Sequence, residues 1–279
     1  MDCFELNSEQ KLCGTFTFMK SSTKLLLLFF ALNGSACNLV STDIEPDFDL
    51  KAAQRDTLES ALTADESNTT FNADPDTLRY LALGDSYTIG QSVDPLLRWP
   101  VQLQTQLNAN TAEFFVQYPD LIAQTGWTTT NLSNAMDEAS VDELEYDIVS
   151  LLIGVNNQYQ GLSLSEYEAE YTLLLERAIS IAGGNPEKVF VVSIPDYGYT
   201  PFGEPNQAGI SSELIQFNAS CQTLTEAANV NWYNITPISQ LWPDFADLVA
   251  SDNLHPSGYQ YELWVDSFWE AVMEQLSNE

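Results

Sequence analysis

Residues 80–88 read YLALGDSYT. Four consecutive apolar residues, Tyr80 to Leu83, stop at a glycine, and a turn carrying a hydroxyl follows. An unbroken apolar run of this length suits a strand covered on both faces, the usual state of a parallel sheet. Two more runs of the kind lie downstream: Ile148 to Ile153 (IVSLLI), ending at Gly154, and Val189 to Ile194 (VFVVSI), stopped by Pro195. Weaker strands are expected near Phe114 to Gln117 and Asn231 to Tyr233. Helices fall between the strands. Ser163 and Glu166 have the spacing of a capping box, and Tyr167, Tyr171, Leu174, Ala178 and Ile181 follow on one face as far as Gly183-Gly184. The last helix carries Val265, Phe268, Trp269, Val272, Met273 and Leu276 at i, i+3, i+4, i+7 spacing. This alternation predicts an α/β fold, a three-layer α/β/α sandwich around a mainly parallel sheet. In such sheets the functional groups collect beyond the carboxyl ends of the strands.

Three segments meet that condition. Gly84-Asp85-Ser86-Tyr87-Thr88 follows the first strand, where a tight turn exposes the serine hydroxyl and aims its own amide at the same point. Thr88 stands where the G-x-S-x-G elbow would have its second glycine. Gly154-Val155-Asn156-Asn157 follows the IVSLLI strand, where a neutral carboxamide can donate into a site. Asp252-Asn253-Leu254-His255-Pro256 precedes the last helix. His255 is the chain's single histidine. One turn of chain brings Asp252 to its Nδ1–H and leaves Nε2 free to act as a base.

Each segment alone says little, but together they resemble the SGNH (GDSL-type) hydrolase family. Ser86 matches the family's G-D-S nucleophile block, Gly126 in Thr125-Gly126-Trp127-Thr128 its glycine block, Asn156 its G-x-N-D block, and Asp252 with His255 its D-x-x-H block. The blocks occur in the family's order between about residues 79 and 278. The resemblance implies a flavodoxin-like five-stranded sheet and a carboxylic ester hydrolase. Its catalytic residues would be Ser86, Asp252 and His255. The oxyanion hole would be formed by Ser86, Gly126 and Asn156, and no cofactor or metal would be needed. Tyr87 and Asn157 depart from the pattern, which has Leu and Asp there. The second exchange is expected to weaken a supporting hydrogen bond and leaves Asn157 a poor candidate for a catalytic role.

The front of the chain reads as an address. Lys20 and Lys24 form a basic region, Leu25 to Leu32 an apolar one, and Gly34-Ser35-Ala36 a small-residue cleavage zone. This is the pattern of a secretory signal peptide, too short in its apolar part to span a bilayer. Met19 is read as the start, with residues 1–18 outside the natural chain. Cys37 after Gly-Ser-Ala resembles the lipobox of bacterial lipoproteins, with Gly34 where Leu is usual. The expected organisation is therefore residues 1–37 as start and signal, 38–77 as an acidic flexible tether, and 78–279 as the hydrolase domain. Export to a bacterial periplasm or cell surface follows, with membrane contact only through lipid on Cys37.

Composition narrows the partners. The chain has 40 Asp and Glu against 9 Lys and Arg, a formal charge of -31. Such a surface repels phosphate backbones, so no nucleic-acid partner is expected. It also favours neutral acyl or acetyl esters over anionic substrates. Of the four cysteines, only Cys221 falls in the domain, where it reads as a core filler, and no internal disulfide framework is available. The loops Gln91 to Trp99 and Asp196 to Phe202 carry Trp99, Tyr197 and Phe202, which either line a substrate pocket or pack the domain rim. A lysophospholipase, a thioesterase, or a non-catalytic surface lipoprotein binding a glycan or lipid would have the same outline. Mass spectrometry of the mature N-terminus is expected to find Cys37 acylated; an unmodified residue there would overturn the anchor.

Overall fold

The computed structural model describes residues 76–277. The signal segment, Cys37 and nearly all of the tether lie outside those residues. The first strand, β1 (Asp76–Leu78), begins two residues ahead of the expected domain start. There follow β2 (Tyr80–Gly84), α1 (Ser86–Ile89), α2 (Trp99–Asn110), β3 (Phe114–Val116), β4 (Asp120–Ala123) and α3 (Thr129–Glu138). The second half comprises β5 (Ile148–Leu152), α4 (Val155–Tyr159), α5 (Leu164–Ile181), β6 (Val189–Val192), α6 (Gln207–Ala227), β7 (Asn231–Tyr233), α7 (Thr236–Ser239) and α8 (Gly258–Ser277).

Five strands form one parallel sheet in the order β4-β2-β5-β6-β7. This is the flavodoxin-like winding, whose order reverses between β2 and β5. Every residue of β2, β5 and β6 is buried, as their continuous apolar sequences require. The expected strand near Phe114 to Gln117 exists as β3, but it is not the sheet's edge. It pairs with β1 in a separate two-stranded sheet, and Asp120–Ala123 supplies the edge strand instead. The two ladders nearly join. Leu78 faces Val116 while Leu81 faces Asp120, so one extra residue on the outer strand shifts the register between them.

The chain winds one way from β2 to β4 and the other way from β5 to β7. Right-handed crossovers therefore put α2, packed along α8, on one face and α3, α5 and α6 on the other. On the first face Trp99, Phe190 and Phe268 meet at ring distances of 6.0 to 6.3 Å, and Tyr233 stacks on Phe268 at 5.1 Å. On the second, Tyr167 meets Phe217 at 4.8 Å, and the Tyr171 hydroxyl shares a hydrogen bond with Thr225. Cys221 is buried there, in keeping with its reading as a filler. The capping box forms: Ser163 Oγ accepts the Glu166 amide, and the Glu166 carboxylate accepts that of Ser163, both at 3.2 Å.

Gly154, two residues beyond β5, turns the chain into α4. Its φ is 130°, and a methyl group there would lie 2.6 Å from the Tyr167 ring and 2.9 Å from Ile194. Glycine is required on both counts. Gly154→Ala is expected to destabilise the fold by about 2–4 kcal/mol, combining backbone strain with overpacking, read as a lowered urea midpoint.

Candidate active site

Ser86 is the first residue of α1, four residues long, which starts directly off β2. Asp85 caps it, accepting the Tyr87 amide at 3.0 Å on Oδ1, while its carbonyl accepts Ile89 at 2.9 Å. The second oxygen of Asp85 has no partner among the described residues. Burial pushes this carboxyl up to about 7, against the opposing bond from Tyr87. As the opening amide of a helix, Ser86 N–H has no intrahelical acceptor.

The acid–base pair is built by a compact turn ahead of α8. The Asn253 amide bonds back to Ala250, Ala250 N–H donates to His255 O at 2.8 Å, and Val249 bridges Pro256. Asp252 is surrounded by donors. Its Oδ1 accepts the amides of Leu254 and His255 at 3.0 and 2.9 Å. Its Oδ2 pairs with His255 Nδ1 at 2.7 Å and accepts the Ser92 hydroxyl at 2.6 Å. Partial burial alone would raise this acid. The four hydrogen bonds, Ser92's foremost, outweigh burial and hold it at about 2. An ionised Oδ2 obliges Nδ1 to carry the proton, which leaves Nε2 as the basic nitrogen. The imidazole is itself buried, its ring edge-on to Tyr87 at 5.7 Å.

Gly126 lies in the loop between β4 and α3 with φ 87°. A methyl group there would meet nothing within 4 Å, so the left-handed backbone, rather than crowding by the protein, selects glycine. Asn156 sits on α4 and donates one Nδ2 hydrogen to Trp127 O at 3.0 Å, keeping a second for another acceptor. Neither the Ser86 nor the Gly126 amide is spent on a protein acceptor among the described residues. Ser86, Gly126, Asn156 and His255 all line one cavity of about 280 Å³. Ser86 and His255 both line this cavity, with no direct hydrogen bond between them; catalytic hydrogen bonds are often longer before substrate binds.

Asn157 has a different task. It is fully buried and exchanges two hydrogen bonds with Thr129 at the start of α3. The Thr129 amide donates to Oδ1 at 3.1 Å, and Nδ2 donates to the hydroxyl at 2.6 Å. That hydroxyl in turn donates to Glu170, which also accepts Thr130 Oγ1 at 2.8 Å. The Asn157 amide thus bonds a hydroxyl already committed to a carboxylate.

Tyr159, Tyr197, Phe202, Val155 and Leu254 form the cavity's apolar wall. Tyr197 and Phe202 thus line the pocket, while Trp99 belongs to the core with no exposed surface. Tyr159 and Ser92 were not evident from the sequence. Tyr159 sits one helical turn beyond Asn156, a spacing that places both on one side of α4. Ser92 has no local signal at all.

A model of the GDSL-like Lipase/Acylhydrolase family matches residues 82–263, more than half of the chain. Similar solved structures include the psychrotrophic esterase EstA from Pseudoalteromonas sp., inhibited by monoethylphosphonate. It is 19% identical, the match covers 73% of this chain and 100% of that one, and the TM-score is 0.53. Axe2, an acetylxylan esterase from Geobacillus stearothermophilus, is 19% identical over 74% of this chain and 97% of its own, with a TM-score of 0.55. The lipase/acylhydrolase from Enterococcus faecalis is 20% identical over 71% and 96%, with a TM-score of 0.54. At these identities the likeness is one of fold. No curated protein matches.

Asn157→Asp would set two carboxylates, Asp and Glu170, around the single Thr129 hydroxyl. A loss of about 1–3 kcal/mol is expected in urea unfolding, with most of it recovered when Glu170→Gln is added.

Proposed function

Because the chain belongs to the GDSL-like lipase/acylhydrolase family, we propose that it hydrolyses short, neutral carboxylic esters through an acyl-enzyme on Ser86. The observation that carries this reading is the convergence on one cavity of a hydroxyl, a free carboxamide hydrogen and an imidazole held by an ionised acid.

In the reaction, Ser86 Oγ attacks the ester carbonyl as His255 Nε2 takes its proton, a transfer typically worth about 10²- to 10⁴-fold. Asp252 stabilises the imidazolium and fixes its orientation. The tetrahedral oxyanion is received by the amides of Ser86 and Gly126 and by Asn156 Nδ2. Collapse of the intermediate breaks the bond to the alcohol, which leaves with the imidazolium's proton. Water then repeats the sequence on the acyl-serine, releasing the acid and restoring the hydroxyl.

Size and polarity support a small neutral substrate. At about 280 Å³ the cavity lies at the bottom of the range for small-molecule sites. Its wall is apolar, and among the described residues neither Lys nor Arg lines it, so an anionic acyl or alcohol part would find no counter-charge there. The sequence-based export and Cys37 anchor remain part of the proposal, placing this chemistry outside the cytoplasm.

The test is hydrolysis of p-nitrophenyl esters by the purified domain. Acetate and butyrate should be turned over faster than decanoate. Ser86→Ala and His255→Ala should each lose about 10⁴-fold or more in kcat, and Asn156→Ala about 10²- to 10³-fold with KM little changed. An inert wild type, or full activity in either of the first two variants, would refute the proposal.

A further inference from the structure

Ser92 lies six residues beyond Ser86 in a loop with an unusual backbone. Gly90 closes α1 in the left-handed conformation, and Ser92 adopts it again at φ 67°. A residue with a side chain seldom takes this conformation, and glycine takes it freely. Ser92 Oγ reaches Asp252 Oδ2, 160 positions along the chain, at 2.6 Å. Its neighbour Gln91 accepts a 2.6 Å hydrogen bond from Thr125 Oγ1, next to Gly126. The segment that leaves the nucleophile thus touches both the glycine loop and the acid.

We propose that Ser92 is a positioning residue for this reaction: its hydroxyl holds Asp252 in the rotamer that presents Oδ2 to His255, fastening the acid–base turn to the loop that follows the nucleophile's helix. The inference rests on the ester-hydrolase reading above. Asp252 Oδ1 is already held by two amides of its own turn, which fix the carboxylate's near side. Oδ2 makes the bond that matters to catalysis, and Ser92 supplies its other hydrogen bond. A hydroxyl suits the position because it donates to the carboxylate without adding a positive charge that would compete with the imidazolium.

The backbone strain gives a clean test. If Ser92 served only to turn the chain, glycine would be the better residue there. Ser92→Gly should instead lose on the order of tenfold in kcat on p-nitrophenyl acetate, with KM unchanged and the thermal midpoint held within about 2 °C. Ser92→Ala should lose a similar factor. In an Asp252→Ala background the Ser92→Gly effect should vanish, because the hydroxyl acts through that carboxylate. Wild-type kcat in Ser92→Gly, or an undiminished loss in the Asp252→Ala background, would overturn the proposal.

Since the chain has one histidine, the imidazole Nδ1–H resonance can be read without ambiguity and independently of turnover. Faster solvent exchange of that proton in Ser92→Gly supports the positioning role; an unchanged rate refutes it. A wild type inert on esters would sink the hydrolase reading and leave this measurement to decide the role of Ser92.

Discussion

The parallel pairing of β2 with β5 is the constraint on which the site depends. The ladder runs in register from Tyr80 opposite Ile148 to Gly84 opposite Leu152, so both strands stop at the same level. Two residues after one strand comes Ser86, and four after the other comes Asn156. An antiparallel arrangement would have put them at opposite ends of the sheet. The strand order reverses at this pair, which opens the crevice where the proposed catalytic groups gather.

The C-terminal half of the machinery owes little to the sheet. Asp252 and His255 stand on a turn that organises itself through its own amides before α8 begins. The two aspartates of the site illustrate how environment assigns charge. Asp85 and Asp252 have the same chemistry. Buried with only nearby backbone amides to oppose the loss of water, Asp85 is pushed up to about 7, whereas Asp252 with its four donors stays at about 2. Only the second can serve as a permanent counter-ion for an imidazolium.

Much of this was legible in the sequence, for physical reasons that differ from element to element. β2, β5 and β6 announce themselves because burial on both faces demands unbroken apolar runs. The α5 capping box is legible because it is local. β4 is not, because an edge strand reading Asp-Leu-Ile-Ala is only half covered, whereas Phe-Phe-Val in β3 suggested more burial than a two-stranded sheet requires. The family blocks identified Ser86, Gly126, Asn156, Asp252 and His255 as candidates, and all five reach the site region. Gly126 holds a left-handed φ that glycine takes freely. What stays hidden is contact across the chain. Thr129 with Glu170, and Ser92 with Asp252, depend on side chains far apart in sequence meeting only after the sheet has formed, and neither leaves a pattern in the neighbouring residues.

The most direct measurement is peptide mass spectrometry after treatment with a fluorophosphonate. A hydroxyl activated by an imidazole in a shared cavity should yield one phosphonylated residue, Ser86, and the adduct should disappear in His255→Ala. No adduct on the folded wild-type domain, or one that forms equally well without the imidazole, would contradict the account.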